Sequence, residues 1–306
     1  MSAVDEPRRL PMVQPGREPG RPPVFDKIGI VGLGLIGGSI ALAARQLWPT
    51  GLVVAVDVKD TLEKAMVLHA IDVAADDPVV LADVDLVILA APVRQNLDLL
   101  ATLPEYVQRS AIVTDTGSAK REIVEAGRRL PPNLTFVGGH PLGGAARGGI
   151  EHARPDLFVG RPWLFTPGTD GAGGAVEKLC EFATALGAKP RLMSAREHDH
   201  LLAYISHLPQ LVSSALMHLV GDAVGRDGLG LTGRGLQDVT RLASSPAGIW
   251  KDVCASNADE LGPALDALIK VLVDLRADLS ASSTIDTIFQ SANYWRDQLQ
   301  SVTSDK

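Results

Sequence analysis

From Lys27 onward the chain alternates between short, continuously apolar runs and longer stretches in which apolar residues recur every three or four positions. The runs are KIGIV from Lys27, LVVAVDV from Leu52, DLVILAAPV from Asp85, AIVTDTG from Ala111, LTFVGGH from Leu134 and PWLFTP from Pro162; after a helical stretch, VEKLCEFATALGA, KPRLMS from Lys189 reads as a last strand. Unbroken hydrophobicity marks strands covered on both faces, so the pattern predicts a mainly parallel sheet with helices packed on each side. Residues 26–194 therefore read as a doubly wound α/β domain of Rossmann type. Beyond Arg196 the texture changes. EHDHLLAYISHLPQLVSSALMHLV, GLQDVTRLA, ADELGPALDALIKVLVDLRADL and IDTIFQSANYWRDQL keep three-and-four spacing without strand-like runs, so residues 195–298 read as all-α. Their apolar faces are broader than a unit of about a hundred residues buries alone, which predicts a homodimer formed through this helical domain. Residues 1–25 and 299–306 are expected to be polar tails, the first of them disordered.

Composition narrows the partners more than the fold. A net charge of -7, from 29 Lys+Arg against 36 Asp+Glu, with no basic block, offers nothing to attract nucleic acid or an anionic membrane. The expected partner is a small molecule. No apolar run approaches the length of a membrane span and the first residues lack a signal-peptide core, so the expected location is cytoplasmic. The two cysteines, Cys180 and Cys254, sit in apolar helical stretches without metal-ligand spacing and read as packing residues.

Candidate chemistry begins at the first strand. Gly32, Gly34 and Gly37 form GxGxxG between a hydrophobic strand and a helix, where missing side chains let a pyrophosphate reach the helix N-terminus. Leu35 and Ile36 lie inside that turn. Asp57, twenty residues after Gly37, ends the second strand and suits the adenosine ribose hydroxyls, which favours NAD; Lys59 beside it leaves NADP open. Ala91, Pro92 and Val93 follow the next strand and permit close approach of a flat ligand. Ligands of open α/β sheets lie outside the carboxyl ends of the strands. That rule turns two loops, TDTGSAK with Ser118 and VGGHPLGG with His140, toward the nicotinamide. A second role for Asp115 and Ser118 is capping a helix that begins near Ala119.

With these motifs in order, the chain resembles the prephenate and arogenate dehydrogenase family from Lys27 to about Asn257. The carrying motifs are GLGLIGGS, TDTGSAK, GGHPLGG, DLFVGRPWLFTP, EHDHLLAYISHLP and DVTRLA. The resemblance implies a Rossmann domain joined to a helical dimerisation domain, and NAD-dependent oxidative decarboxylation of prephenate to 4-hydroxyphenylpyruvate in tyrosine biosynthesis. Arogenate, giving tyrosine, is the alternative substrate. It implies that His140 is the catalytic base and that Ser118 orients the same substrate hydroxyl; no metal is required. It also implies that Arg241 binds a substrate carboxylate, steadied by Asp238 three residues earlier on the same helix face. His198 and His207, nine residues apart on one helix and read as projecting in similar directions, match family histidines near the substrate. His200 and His218 match none.

Two departures are visible. Gln210 stands where many relatives carry a second histidine after HLP, at the substrate side-chain end. Ala145, Ala146 and Arg147 replace a more polar loop. No regulatory module follows the helical region, so tyrosine is expected to inhibit by competition at the active site. Two other classes share the cofactor signature. One is a reductase of imine or β-hydroxy acid type, expected to use a lysine or tyrosine from the helical domain. The other is a non-catalytic NAD sensor, against which the Ser118, His140 and Arg241 set argues.

Overall fold

The computed structural model describes residues 22–144, 147–168 and 172–304. Eight strands form one sheet: β1 (Lys27–Val31), β2 (Leu52–Val56), β3 (Val73–Ala75), β4 (Leu86–Leu89), β5 (Ala111–Asp115), β6 (Leu134–Pro141), β7 (Pro162–Pro167) and β8 (Lys189–Leu192). Their order is β3-β2-β1-β4-β5-β6-β7-β8. β6 and β7 pair antiparallel and every other neighbouring pair is parallel. The strand order reverses between β1 and β4, the place where such sheets open a ligand crevice.

Helices α1 (Leu35–Leu47), α2 (Lys59–Val67), α3 (Val93–Tyr106), α4 (Arg121–Gly127) and α5 (Gly173–Ala185) connect the strands. The two faces of the sheet carry separate cores, which is why the strands read as unbroken apolar runs. Ile28, Ile30, Ala55, Leu86 and Ile88 pack with Ile40 and Ala44 of α1 and Leu179 and Phe182 of α5. Val31, Val54, Val87, Leu89 and Val113 pack with Leu100 and Leu103 of α3 and Ile123 of α4. Each of the Val, Leu, Ile and Phe side chains among them, fully withdrawn from water, contributes about 1.5–3 kcal/mol. The edge strand β3 was not legible in the sequence. It is three residues long and largely exposed, too short to stand out as an apolar run.

The helical part contains α6 (Ala195–Leu202), α7 (Leu208–Leu229), α8 (Arg234–Val239), α9 (Ala247–Ser256), α10 (Ala258–Ala277) and α11 (Ser283–Ser304). Ser194 opens α6 with a reciprocal capping box: its hydroxyl accepts from Glu197 N–H, and the Glu197 carboxylate accepts from Ser194 N–H. A single π turn, Ala203–His207, joins α6 to α7 just before Pro209. Proline at that point removes a backbone donor and crowds the carbonyl four residues back, which favours a widened turn. Ile269, Leu272, Phe289, Tyr294 and Trp295 of the last two helices are exposed. Among the described residues, no helix is long and apolar enough to cross a membrane.

Both expected tails need correction. Residues 1–21 lie outside the described part of the chain, but Phe25 is buried, its ring 5.8 Å from that of Phe182. The first domain therefore begins before Asp26. At the other end α11 continues to Ser304 instead of stopping at 298. Residues 145 and 146, the altered loop positions, lie outside the described residues.

Candidate active site

A cavity of about 1060 Å³ opens at the carboxyl ends of β1, β2, β4 and β5, closed on the far side by α9. Gly32, Gly34, Leu35, Ile36, Asp57, Ala91, Pro92, Val93 and Ser118 all line it. The glycines divide the work. Gly32 has φ +94°, and a Cβ there would meet the Ala90 and Ala91 backbone at 2.7 Å. At Gly37 a Cβ would sit 1.9 Å from the Gly32 carbonyl oxygen, so this residue lets α1 lie directly on β1. Nothing comes within 4 Å of a Cβ at Gly34, which faces open space at the start of α1. That space, the free N–H groups of the helix and the absence of side chains fit a dinucleotide pyrophosphate.

Asp57 accepts hydrogen bonds from Leu33 N–H at 2.5 Å and Val58 N–H at 2.6 Å, so it also fixes the glycine turn. Asp76 follows β3, beside Asp57 in the parallel register, and lines the same cavity. Lys59 does not line the cavity. It lies on the surface 3.9 Å from Glu63, so it does not offset those two carboxylates. Arg147 is the one cation among the described residues lining the cavity.

His140 sits behind this opening at the end of β6, 8% exposed. Its Nδ1 is 2.9 Å from His198 Nε2, and His198 Nδ1 is 2.8 Å from Asp199 Oδ1. Asp199 is fully buried. It accepts from Lys120 N–H at 2.7 Å, Arg121 N–H at 2.9 Å and Arg121 Nε at 3.1 Å, which makes it the cap of α4, supplied by the other domain. The expectation that Asp115 and Ser118 cap this helix is thus corrected. Asp115 instead accepts from Gly117 N–H, Gly139 N–H and Lys120 Nζ.

These contacts determine the histidine tautomers. Burial acts against ionised Asp199, but hydrogen bonds from His198 and the Arg121 N–H overcome it and hold the carboxyl below its ordinary range. An ionised Asp199 takes a proton donor from His198 Nδ1, which leaves His198 Nε2 as an acceptor and His140 Nδ1 as the donor. His140 Nε2 is then an unprotonated lone pair with no hydrogen-bond partner among the described residues. Burial, reinforced by His198, Lys120 and His207, holds the His140 imidazole well below 6.5, so it is neutral at pH 7. His198 is lowered as well, by burial first.

The third histidine follows from Asn257. Its Oδ1 accepts from Arg121 at 3.1 Å and its Nδ2 donates to the Asp199 carbonyl at 2.8 Å and to His207 Nδ1 at 3.2 Å. His207 therefore carries its proton on Nε2. That N–H is buried and faces the Ser118 backbone, behind the loop that lines the cavity. Burial lowers the pKa of His207 to about 4. Nine residues on an undisturbed α-helix span about two and a half turns and would face opposite ways, contrary to the sequence reading. The π turn between His198 and His207 changes that phase, and Asn257 bonds to both the Asp199 carbonyl and His207.

Four expectations are not met by the geometry, the first at His207, which is fully buried and does not line the cavity. His198 is fully buried behind His140 and reaches the cavity only through it. Gln210 is 4% exposed, and its amide donates to the Leu242 carbonyl at 2.8 Å and to Ser214 Oγ at 3.2 Å while its oxygen accepts from Ser245 at 3.2 Å. It braces the segment before α9 and has no free group for a substrate. Arg241 is exposed and does not line the cavity. α8 ends at Val239, and Arg241 begins a separate 3₁₀ turn, so Asp238 does not share its helix face and forms no ion pair with it. Sequence reasoning assigned no role to Asp199 or Lys120, although both lie in quoted motifs. Arg121 and Asn257 are 136 residues apart, with no local signal to connect them.

Comparison with known proteins agrees with this layout. Residues 40–192 match the family model "Prephenate dehydrogenase, nucleotide-binding domain" and residues 194–291 match "Prephenate dehydrogenase, dimerization domain". A prephenate dehydrogenase of Bacillus subtilis (strain 168) is 33% identical over 286 residues, covering 90% of this chain and 76% of the relative. The crystal structure of prephenate dehydrogenase from A. aeolicus in complex with hydroxyphenyl propionate and NAD+ superposes with a TM-score of 0.83 at 26% identity, covering 90% of this chain and 98% of that one. Synechocystis arogenate dehydrogenase gives 0.74 at 30% identity, with 89% and 99% covered.

Proposed function

The chain belongs to the prephenate dehydrogenase family, and from that premise we propose that it catalyses NAD-dependent oxidative decarboxylation of prephenate to 4-hydroxyphenylpyruvate. The observation that carries the reading is the oriented chain Asp199–His198–His140 ending beside a cavity with a glycine turn that fits a dinucleotide. NAD bound there supplies the hydride acceptor. His140 Nε2 takes the proton of the ring hydroxyl as hydride leaves the carbon bearing it; the ring carboxylate then departs as carbon dioxide and the ring becomes aromatic. A neutral imidazole of fixed tautomer suits that acceptance at pH 7. Ser118, on the cavity wall, holds the same hydroxyl, and the buried His207 supports the backbone of that loop from behind.

Asp57 and Asp76 at the ribose end repel a 2'-phosphate, which supports NAD over NADP. Arg147 takes over from Arg241 as our candidate for attracting an anionic group into the cavity. The helical domain forms the homodimer, which would cover its exposed apolar residues. Arogenate is the second reading. Its side-chain ammonium would find carboxylates at Asp98 and Asp252, both on the cavity wall. Tyrosine, which shares the product's phenol ring, would compete at this cavity.

Steady-state assays with prephenate and arogenate, each with NAD and NADP, test the proposal. Turnover is expected with prephenate and NAD; no turnover of either cyclohexadienyl acid would sink it.

A further inference from the structure

β5 and β6 pair along the backbone only from Ala111↔Leu134 to Thr114↔Val137. Past that point a side chain does the joining. Asp115 Oδ1 accepts from Gly139 N–H at 3.0 Å, and Oδ2 accepts from Gly117 N–H at 2.8 Å and from Lys120 Nζ. Gly139 immediately precedes His140, and Gly117 immediately precedes Ser118. One carboxylate thus ties together the backbones that carry the two groups read as acting on the substrate hydroxyl. There is no slack in the tie, because a Cβ at Gly139 would lie 2.5 Å from the Asp115 carbonyl oxygen. Lys120 and Asp115 are both fully buried, and the ammonium is that carboxylate's only cationic partner among the described residues.

A buried ion pair is an uncertain source of stability, since two well-packed apolar residues of similar volume often serve as well. Position is the more informative property here. We propose that Lys120 is a positioning residue: it holds the Asp115 carboxylate between the Ser118 loop and the His140 strand and so fixes the spacing of the two groups, without touching substrate. This rests on the reading of Ser118 and His140 given above. A misplacement of about 1 Å between reacting groups can cost on the order of a hundredfold in rate. Lys120 has a second effect on the base. The charged or titratable groups around His140 are Asp115 at the end of β5, Lys120 at the start of α4, His198 and Asp199 on α6, and His207 on the π turn, with Arg121 behind Asp199. Within this set the ammonium of Lys120 opposes protonation of both His140 and His198.

The test is Lys120→Met in the full-length protein beside wild type, read by kcat, both KM values, the pH profile of kcat/KM, and an NMR titration of the His140 ring. The expected result is a kcat lowered about a hundredfold, KM values within threefold, and a His140 titration displaced to higher pH. The NMR readout needs no turnover. Wild type inactive toward prephenate would therefore count against the functional reading alone, while the titration would still judge Lys120. If Lys120→Met does not fold, Asp115→Asn combined with Lys120→Met leaves no unpaired buried charge and carries the same test. A folded variant, single or double, with wild-type kcat and an unmoved His140 titration would overturn the proposal.

Discussion

Replacing Asp199 by Asn should convert His140 from an acceptor into a donor without removing a histidine. The carboxylate receives four N–H groups: His198 Nδ1 and Lys120 N on Oδ1, and Arg121 N and Nε on Oδ2. An amide keeps only one acceptor oxygen, so one pair of donors must face its NH2. Turning the NH2 toward Arg121 sets it against a backbone donor and a permanent cation. Turning it toward His198 opposes only Lys120 N–H, because a neutral imidazole can move its proton and accept at Nδ1. The second orientation costs less and should dominate. His198 Nε2 then becomes a donor, His140 Nδ1 an acceptor, and the His140 proton moves to Nε2, where the lone pair was needed. One or two charge-assisted hydrogen bonds are lost, at about 1.5–3 kcal/mol each. Stability should therefore fall by about 2–5 kcal/mol, a large part of the total for a typical domain. A triad histidine held in the wrong tautomer loses on the order of 10⁴ in kcat, and a similar loss is expected here. Steady-state kinetics with prephenate and NAD, thermal unfolding and the ¹⁵N shifts of the His140 ring measure all three effects. A folded Asp199→Asn protein with kcat within threefold of wild type and an unprotonated Nε2 on His140 would refute the reasoning.

Two further outcomes follow from the geometry. Gly34→Ala places a methyl in open space and should leave the melting temperature unchanged while weakening NAD binding at least tenfold. Gly37→Ala drives its methyl to 1.9 Å from the Gly32 carbonyl oxygen and should lose both stability and NAD binding, as thermal shift with and without NAD will show. The buried histidines set the response to acid. His140, His198 and His207 all have folded pKa values below that of a free imidazole, His207 at about 4. Above pH 6.5 both folded and unfolded chains hold them neutral and stability is full. As pH falls from 6.5 toward 4 the unfolded chain takes up protons that the folded one refuses, and His207 alone removes about 2–3 kcal/mol. Urea midpoints that stay constant between pH 7.5 and 5 would contradict this. The acid limb of kcat/KM should likewise lie below pH 6.5, not at it.

The same physics explains which parts of the molecule could be read without coordinates. Six of the eight strands announced themselves because both faces of the sheet are buried there, and a residue with no solvent side has no polar alternation to hide in; the exposed edge strand β8 was read only from its place after the last helix of the domain. β3 escaped because an edge strand of three largely exposed residues has neither feature. The glycine turn was legible because its constraint is local: missing side chains at fixed spacing leave a mark that needs no partner. Gln210 and Arg241 lie off the cavity for the opposite reason. A motif shows which residue types stand at a position, but the direction in which they point was decided by the break after Val239 and by the carbonyl of Leu242.

By itself, then, the sequence determined the two textures of the chain, the α/β sheet, the dinucleotide turn and the loops carrying Ser118 and His140, since each depends on side chains close together along the chain. The tertiary structure decided the chemical state of the site. Asp199 reaches across the domain junction to cap α4 and orients His198 and, through it, His140; Asn257 sets His207 from another helix; and Asp115 with Lys120 joins two loops that the backbone ladder leaves apart. Hydrogen bonds between residues tens of positions apart leave no periodicity in the sequence, yet in a buried site they determine which nitrogen holds the proton.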